Sequence, residues 1–162
     1  MKVSAITLGC KVNQYESQAM LASLEKEGYT VTQSQEDSDV ILINSCTVTA
    51  TSDQKVRQVL RRARRKAPLA VIVLTGCMTQ AFPEIAGSLE EADIVLGNSN
   101  RGRLADILQE YFTGRQRVVE ILPHETGEIF ESMQVEHFFE RTRAFIKIED
   151  GCNRFCSYCI IP

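Results

Sequence analysis

The end of the sequence crowds three cysteines into one short stretch, "DGCNRFCSYCIIP", with the spacing Cys-x-x-x-Cys-x-x-Cys. They are Cys152, Cys156 and Cys159. Structural zinc sites usually combine paired cysteines with a fourth ligand, so three thiols on one tight loop fit zinc poorly. A four-iron cluster held by three cysteines keeps one iron free for a substrate or cofactor. The spacing therefore favours an iron–sulfur cluster over a zinc knuckle or redox thiols.

Three further cysteines each follow a stretch that is predicted to be a buried strand. "ITLGC" ends at Cys10, "LINSC" at Cys46 and "VLTGC" at Cys77. In an open parallel sheet the carboxyl ends of the strands lie along one edge, and ligands bind in the crevice outside them. We therefore expect these thiols to converge, with Gly9 and Gly76 removing side-chain bulk beside two of them. Convergent thiolates suit a soft metal or an iron–sulfur cluster; the alternative is three buried cysteines that pack as small apolar residues.

The elements that must position these cysteines alternate between strands and helices. Continuous apolar, often β-branched runs predict strands buried on both faces at residues 2–8, 39–45, 69–76 and 92–97, with a weaker, more exposed strand at 29–33. Helical patterns are predicted at residues 13–28, 51–67, from 83 onward, and at 100–112. Such alternation predicts an α/β fold with an open, mostly parallel sheet flanked by helices.

Two of these helices carry further signals. Asn13 is predicted to cap the first helix, with Glu16 three residues later completing a motif similar to a capping box. The second helix is predicted to bury one apolar stripe, formed by Val56, Val59, Leu60, Ala63 and Ala67.

The opposite face of the second helix is strongly basic, and no acidic residue occurs between Gln54 and Gln80. A basic face can bind RNA phosphates, but it is also typical of a solvated helix surface, and basic residues near a helix C-terminus suit the helix dipole. The candidate RNA contacts are Arg57, Arg61, Arg62, Arg64 and Arg65.

The pattern weakens after residue 112. Residues 113–143 contain one short extended stretch at 118–122 and are interpreted as a linker. A new strand is predicted over 144–148, leading directly into the terminal cysteine loop. The predicted organisation is an α/β domain over 1–112, the linker over 113–143, and the start of a second domain over 144–162.

Composition narrows the class of protein. The chain has 162 residues, 44% of them hydrophobic, and a net charge of −3, which indicates one good core and no overall basic character. The apolar run at the N-terminus ends at Gly9, too short for a signal peptide or a membrane span. We therefore expect a soluble cytoplasmic protein whose cysteines are metal ligands or catalytic thiols and not disulfides.

Four stretches together resemble the methylthiotransferase family of radical S-adenosylmethionine enzymes. They are "TLGCKVNQYES", "NSCTVT", "LTGCMTQ" and "RAFIKIEDGCNRFCSYCIIP". The terminal cysteine spacing is itself the signature of radical S-adenosylmethionine enzymes, and the resemblance covers essentially the whole chain. Within the family, Lys11, Val12 and Asn13 of "GCKVNQYES" resemble the branch that acts on threonylcarbamoyladenosine in tRNA.

The resemblance implies a tRNA methylthiotransferase that inserts a methylthio group at carbon 2 of N6-threonylcarbamoyladenosine, next to the anticodon. It implies two 4Fe-4S clusters and S-adenosylmethionine as cofactors, tRNA and an electron donor as partners, and no membrane. The implied ligands are Cys10, Cys46 and Cys77 for the first cluster, and Cys152, Cys156 and Cys159 for the second, which binds S-adenosylmethionine. Tyr158 matches an aromatic position that lies near the adenine of this cofactor; packing within the loop is the alternative role.

Family members continue beyond these motifs with the rest of a barrel and a small RNA-binding β-domain. Only the first strand and cluster loop of a truncated radical S-adenosylmethionine barrel are recognisable here, so we expect a fragment that is inactive alone. The alternatives are a methylthiotransferase of the isopentenyladenosine or ribosomal-protein branch, an iron–sulfur electron-transfer or sensing module without radical chemistry, and a zinc-stabilised RNA-binding domain.

Overall fold

The computed structural model describes residues 1–47, 50–123, 147–148 and 151–159, with residues 50–53 described by their backbone alone. Its strands are β1 (Lys2–Thr7), β2 (Thr30–Val31), β3 (Val40–Ser45), β4 (Val71–Gly76), β5 (Ile94–Leu96) and β6 (Val118–Glu120). Its helices are α1 (Lys11–Lys26), α2 (Ala50–Lys66), α3 (Cys77–Ala81), α4 (Pro83–Gly87) and α5 (Leu104–Gly114), with a 3₁₀ helix at Asn98–Arg103. No helix in this part of the chain is long and apolar enough to cross a membrane.

The strands form one six-stranded sheet in the order β2-β1-β3-β4-β5-β6. Every strand pair in the described part of the chain is parallel, which confirms the predicted α/β fold with an open parallel sheet. Because the strand order reverses between β1 and β3, the crevice between their carboxyl ends is the position where such sheets bind ligands.

Helices cover both faces of the sheet, so β3 and β4 are buried along their whole lengths. Alternate residues of each strand pack on opposite sides: Leu42 of β3 joins the cluster that includes Leu24 of α1, whereas Ile43 joins the one that includes Leu60 of α2. The predicted apolar stripe of α2 is confirmed. Of its members, Val56, Leu60, Ala63 and Ala67 are buried and Val59 is partly buried.

The sheet extends past residue 112, because β6 pairs with β5 through Ile94 opposite Val118. The short extended stretch predicted at 118–122 is therefore partly a strand of this sheet. The three residues of β6 lie at the edge of the sheet and are not fully buried, so they lack the long apolar run that identified the central strands. The rest of the predicted linker, from residue 124 to 143, and the strand predicted at 144–148, except for its last two residues, lie outside the described residues.

Helix α1 begins earlier than predicted. Cys10 is its N-cap and Asn13 is its third residue, whose side-chain oxygen accepts a hydrogen bond from the Cys10 backbone N–H at 3.2 Å. The prediction of Asn13 as the cap is wrong, because the reciprocal capping contact runs from residue 13 back to residue 10. Glu16, predicted to complete the motif, is instead buried in an ion-paired cluster.

Two other helices differ from their predicted form. The segment before Pro83 is already helical as α3, and the chain breaks at Phe82 because a proline supplies no backbone N–H and disfavours a helical residue before it. The helix predicted at 100–112 starts as the 3₁₀ turn at Asn98–Arg103 and becomes α-helical at Leu104.

Candidate metal centre

The carboxyl ends of three adjacent strands bring the first cysteine set to one edge of the sheet. Cys10 lies between β1 and α1, Cys46 directly follows β3, and Cys77 is the first residue of α3 after β4. Cys10 is exposed, whereas the other two are half-buried. As the N-cap of a 16-residue helix, Cys10 also lies at the positive end of the helix dipole, which favours anionic groups.

The side-chain amide of Asn13 lies between two of these thiols. Its oxygen accepts from the Cys10 thiol at 3.3 Å, and its nitrogen lies 3.7 Å from the Cys77 sulfur. The same nitrogen lies 3.0 Å from Asn44 Oδ1 and 3.1 Å from the Ser45 carbonyl oxygen. Asn13 thus links the N-terminus of α1 to the end of β3 and to the start of α3, and it contacts both Cys10 and Cys77.

A second buried amide fixes the orientation of the first. Asn44 at the end of β3 donates to the Asn13 carbonyl oxygen at 2.9 Å and to the Ser17 hydroxyl at 3.2 Å, and the Thr7 hydroxyl donates to Ser17 at 2.7 Å. Sequence reasoning missed Asn13 and Asn44 as site residues. The signal was available for Asn44, since an asparagine at the end of the apolar run "VILIN" must find buried partners.

Two glycines allow the loops to approach this closely. A Cβ on Gly9 would lie 2.9 Å from Cys46 Cβ and would collide with the Asn13 side-chain oxygen. A Cβ on Gly76 would lie 2.6 Å from the Ser45 backbone nitrogen and would collide with Asn44 Oδ1. Both glycines have positive φ angles, so only glycine fits these positions without strain. The sequence predicts that Gly9 and Gly76 remove side-chain bulk beside Cys10 and Cys77. In the fold, their lack of a side chain allows the loops to pack closely.

The thiols are close enough to affect one another electrostatically. Burial raises the pKa of the Cys77 thiol above its ordinary value, and the hydrogen bond from Asn13 opposes this shift. The carboxylate of Glu16 and the sulfurs of Cys46 and Cys10 raise it further. Burial and these neighbouring groups therefore favour the neutral form of the Cys77 thiol.

Buried polar atoms at the same edge have unused hydrogen-bonding capacity. These atoms are side-chain hydrogen-bond donors or acceptors. Their residues lie at or after the carboxyl ends of β1, β3, β4 and β5. Those without a partner in the described part of the chain are Gln14 Oε1, Thr47 Oγ1, Thr75 Oγ1, Asn98 Oδ1, Ser99 Oγ and Asn100 Nδ2. Buried polar groups are normally paired, so these atoms are free to bind a further group at this edge.

Among the described residues, no group of three or more His, Cys, Asp or Glu side chains could hold a single metal ion. A four-iron cluster is larger, and each of its cysteines binds a different iron atom, so its ligands lie farther apart than those of one ion. A cluster of this kind fits the features of this edge. Three cysteines lie there, glycines allow the loops to come close together, and some buried polar atoms have no partner among the described residues.

The second cysteine set lies on an exposed turn. Cys152, Cys156 and Cys159 are all exposed, and the Cys159 backbone N–H donates to the Cys156 carbonyl oxygen at 3.0 Å. Phe155 within the turn has a left-handed φ of 48°. Tyr158 in the same turn is 90% exposed.

The basic face of α2 is partly used within the protein. Arg64 donates to Asp93 Oδ2 at 2.6 Å and to the carbonyl oxygens of Pro68, Ala70 and Glu91 at 2.8–3.1 Å. These bonds tie α2 to the loops before β4 and β5. Arg64 is therefore a structural residue, and its prediction as an RNA contact is not supported by its position.

The other predicted contacts differ in their surroundings. Arg61 forms an ion pair with Glu91 at 3.2 Å, although its side chain is 64% exposed. Arg57 is half-buried, and Arg62 and Arg65 are exposed on the same face of α2.

Comparison with known proteins identifies related sequences. The profile of Uncharacterized protein family UPF0004 matches residues 2–97, more than half of the chain. A threonylcarbamoyladenosine tRNA methylthiotransferase MtaB from Aquifex aeolicus (strain VF5) is 39% identical over 167 residues, covering 100% of this chain and 40% of the relative. The protein of the same name from Bacillus subtilis (strain 168) is 41% identical over 156 residues, covering 96% of this chain and 35% of the relative.

A tRNA-2-methylthio-N(6)-dimethylallyladenosine synthase from Pelotomaculum thermopropionicum (strain DSM 13744 / JCM 10971 / SI) is 35% identical over 167 residues, covering 99% of this chain and 37% of the relative. The chain thus spans 35–40% of the length of these curated relatives. Their names confirm the resemblance to methylthiotransferases, and both tRNA branches occur among them. The chain belongs to Uncharacterized protein family UPF0004.

Proposed function

We propose that this chain is part of a tRNA methylthiotransferase that modifies carbon 2 of N6-threonylcarbamoyladenosine next to the anticodon. The observation that carries the proposal is the position of Cys10, Cys46 and Cys77 at the carboxyl ends of three adjacent strands, with Asn13 in contact with Cys10 and Cys77. The names of the relatives support the reaction, and the higher identity of the first two supports the threonylcarbamoyladenosine branch.

The two cysteine sets would each hold a 4Fe-4S cluster in this proposal. When bound, the clusters would supply the binding of S-adenosylmethionine, the electron transfer that cleaves it and the sulfur chemistry of the insertion. The ligands would be Cys10, Cys46 and Cys77 for one cluster, and Cys152, Cys156 and Cys159 for the other. The exposed ring of Tyr158 is available to stack on the cofactor's adenine.

The chain's own residues would prepare the first site. Asn13 holds Cys10 and Cys77 in place and presents an N–H to the Cys77 sulfur, and hydrogen bonds to sulfur tune the reduction potential of a cluster. Gly9 and Gly76 allow the three loops to meet, and Asn44 fixes the Asn13 amide. The α/β unit that does this would include β6, and the segment from residue 144 would begin the second domain.

Nucleoside analysis of tRNA tests this function. Deleting the gene in its own organism is expected to remove 2-methylthio-N6-threonylcarbamoyladenosine and to leave N6-threonylcarbamoyladenosine in its place, as measured by mass spectrometry. Re-introducing the natural gene restores the modification, whereas a Cys77→Ala copy does not. Loss of the methylthio-dimethylallyladenosine nucleoside instead would assign the other branch, and unchanged nucleosides would overturn the function.

The exposed arginines of α2 would contact tRNA phosphates. Because each phosphate contact releases counterions, the Arg62→Ala, Arg65→Ala double variant is expected to lower the slope of log affinity against log salt by roughly 1 per lost contact. Fluorescence anisotropy with labelled tRNA measures this slope. Arg103→Ala, which removes an exposed arginine paired with Glu120, is the matched control and leaves the slope unchanged. A double variant with the natural slope would remove α2 from the RNA interface.

A further inference from the structure

A buried carboxylate joins α1 to the segment that precedes the second cysteine set. The Glu16 carboxylate lies 2.8 Å from the Lys147 ammonium nitrogen and 2.5 Å from Arg101 Nη1. All three side chains are almost fully buried, with exposed fractions of 4% for Glu16, 4% for Lys147 and 1% for Arg101. Residues 16 and 147 are 131 positions apart in sequence, so this contact is entirely a product of the fold.

Burying charges is costly unless they are paired, since an ion loses most of its hydration energy on leaving water. Two cations share one carboxylate here, so Glu16 forms an ion pair with both Arg101 and Lys147. Arg101 belongs to the 3₁₀ helix of the α/β unit, whereas Lys147 lies five residues before Cys152. The neighbouring Ile148 is 88% exposed, which shows that Lys147 in particular is turned into the protein.

Helix α1 therefore contacts the first cysteine set and the segment that precedes the second set. Its N-cap is Cys10, its third residue is Asn13, and Glu16 lies about one turn further along. We propose that Glu16 is a positioning residue that binds Lys147 and so holds the Cys152–Cys159 loop at a fixed place relative to the first cysteine set. The contact itself needs no cluster; only the roles of the two cysteine sets rest on the proposed function.

Replacing Lys147 distinguishes a positioning role for the Glu16–Lys147 ion pair from a general contribution to the stability of the fold. If Lys147 is replaced by methionine, Glu16 keeps Arg101 as its partner, so the α/β unit retains a neutral ion pair. The segment at residue 147 then loses its charged anchor while the sheet keeps its own contacts. A purely structural role would affect the sheet and this segment together.

Hydrogen exchange followed by mass spectrometry on the iron-free chain tests the proposal. Lys147→Met is expected to accelerate exchange of the peptide containing Lys147 and Ile148 by roughly tenfold or more, because local opening no longer breaks a buried ion pair. Exchange in β3 and β4 remains as in the natural chain. Lys147→Arg, which keeps the charge, is expected to restore most of the protection.

The matched control breaks an exposed ion pair. Lys66 lies 2.7 Å from Glu36, and their side chains are 37% and 64% exposed, so Lys66→Met is expected to leave all peptides unchanged. Natural exchange at residues 147–148 in Lys147→Met would overturn the proposal. Faster exchange throughout β3 and β4 in that variant would also overturn it, because Lys147 would then stabilise the whole unit. Neither result would affect the assignment of the cysteines, which iron binding tests separately.

Discussion

Replacing Gly76 by alanine is expected to lower the free energy of unfolding by roughly 2–6 kcal/mol, the sum of two separate costs of about 1–3 kcal/mol each. The first is backbone strain, because Gly76 has φ 103° and ψ −166°, a region that glycine alone occupies readily. The second is overpacking, because the new Cβ would lie 2.6 Å from the Ser45 backbone nitrogen and would meet Asn44 Oδ1. Cys77 would be displaced with the loop.

Two other glycines provide controls for this experiment. Gly28 also has a positive φ, of 87°, but a Cβ there meets no atom within 4 Å, so Gly28→Ala carries the strain alone. Gly114 ends α5 with open space around it, and Gly114→Ala is expected to be close to neutral. Urea unfolding followed by circular dichroism ranks the three variants. Equal stability of Gly76→Ala and Gly28→Ala would contradict the close packing of the loops around Asn44.

The central part of the fold was predictable because its strands are fully buried. Continuous apolar runs in β3 and β4 can satisfy their backbones only inside a sheet covered on both sides, and the helices between them require parallel connections. The sequence pattern places β6 within the linker, because a short edge strand is held by backbone pairing with β5 and carries little side-chain signal.

The cysteine positions were visible in the sequence, but the groups that orient them were not. Asparagine is a common residue type at a helix cap, so the sequence pattern gives Asn13 that role. Only the fold shows that its amide reaches Cys77, 64 residues away. Glu16 looked like the second half of that cap, yet its partners Arg101 and Lys147 come from distant segments. Polar contacts of this kind depend on long-range packing, which local periodicity does not encode.

Loss of iron from cysteine variants is the other large effect we expect. In the proposed function each cluster needs its own three thiolates, so Cys46→Ala would disrupt the ligand set at the sheet edge and Cys156→Ala the set on the exposed turn. Neither thiol is buried in the core, so both variants are expected to keep the helix and strand content of the natural chain. Circular dichroism checks that fold, and Ser157→Ala, beside the second set, serves as the control that keeps all six cysteines.

Iron and acid-labile sulfide content after anaerobic reconstitution tests the two-site account most directly. The natural chain is predicted to bind about eight iron atoms, each single variant about four, and the Cys46→Ala, Cys156→Ala double variant none, as expected for two independent four-iron clusters. Loss of all iron in either single variant, or unchanged iron in Cys46→Ala, would contradict two separate three-thiol sites.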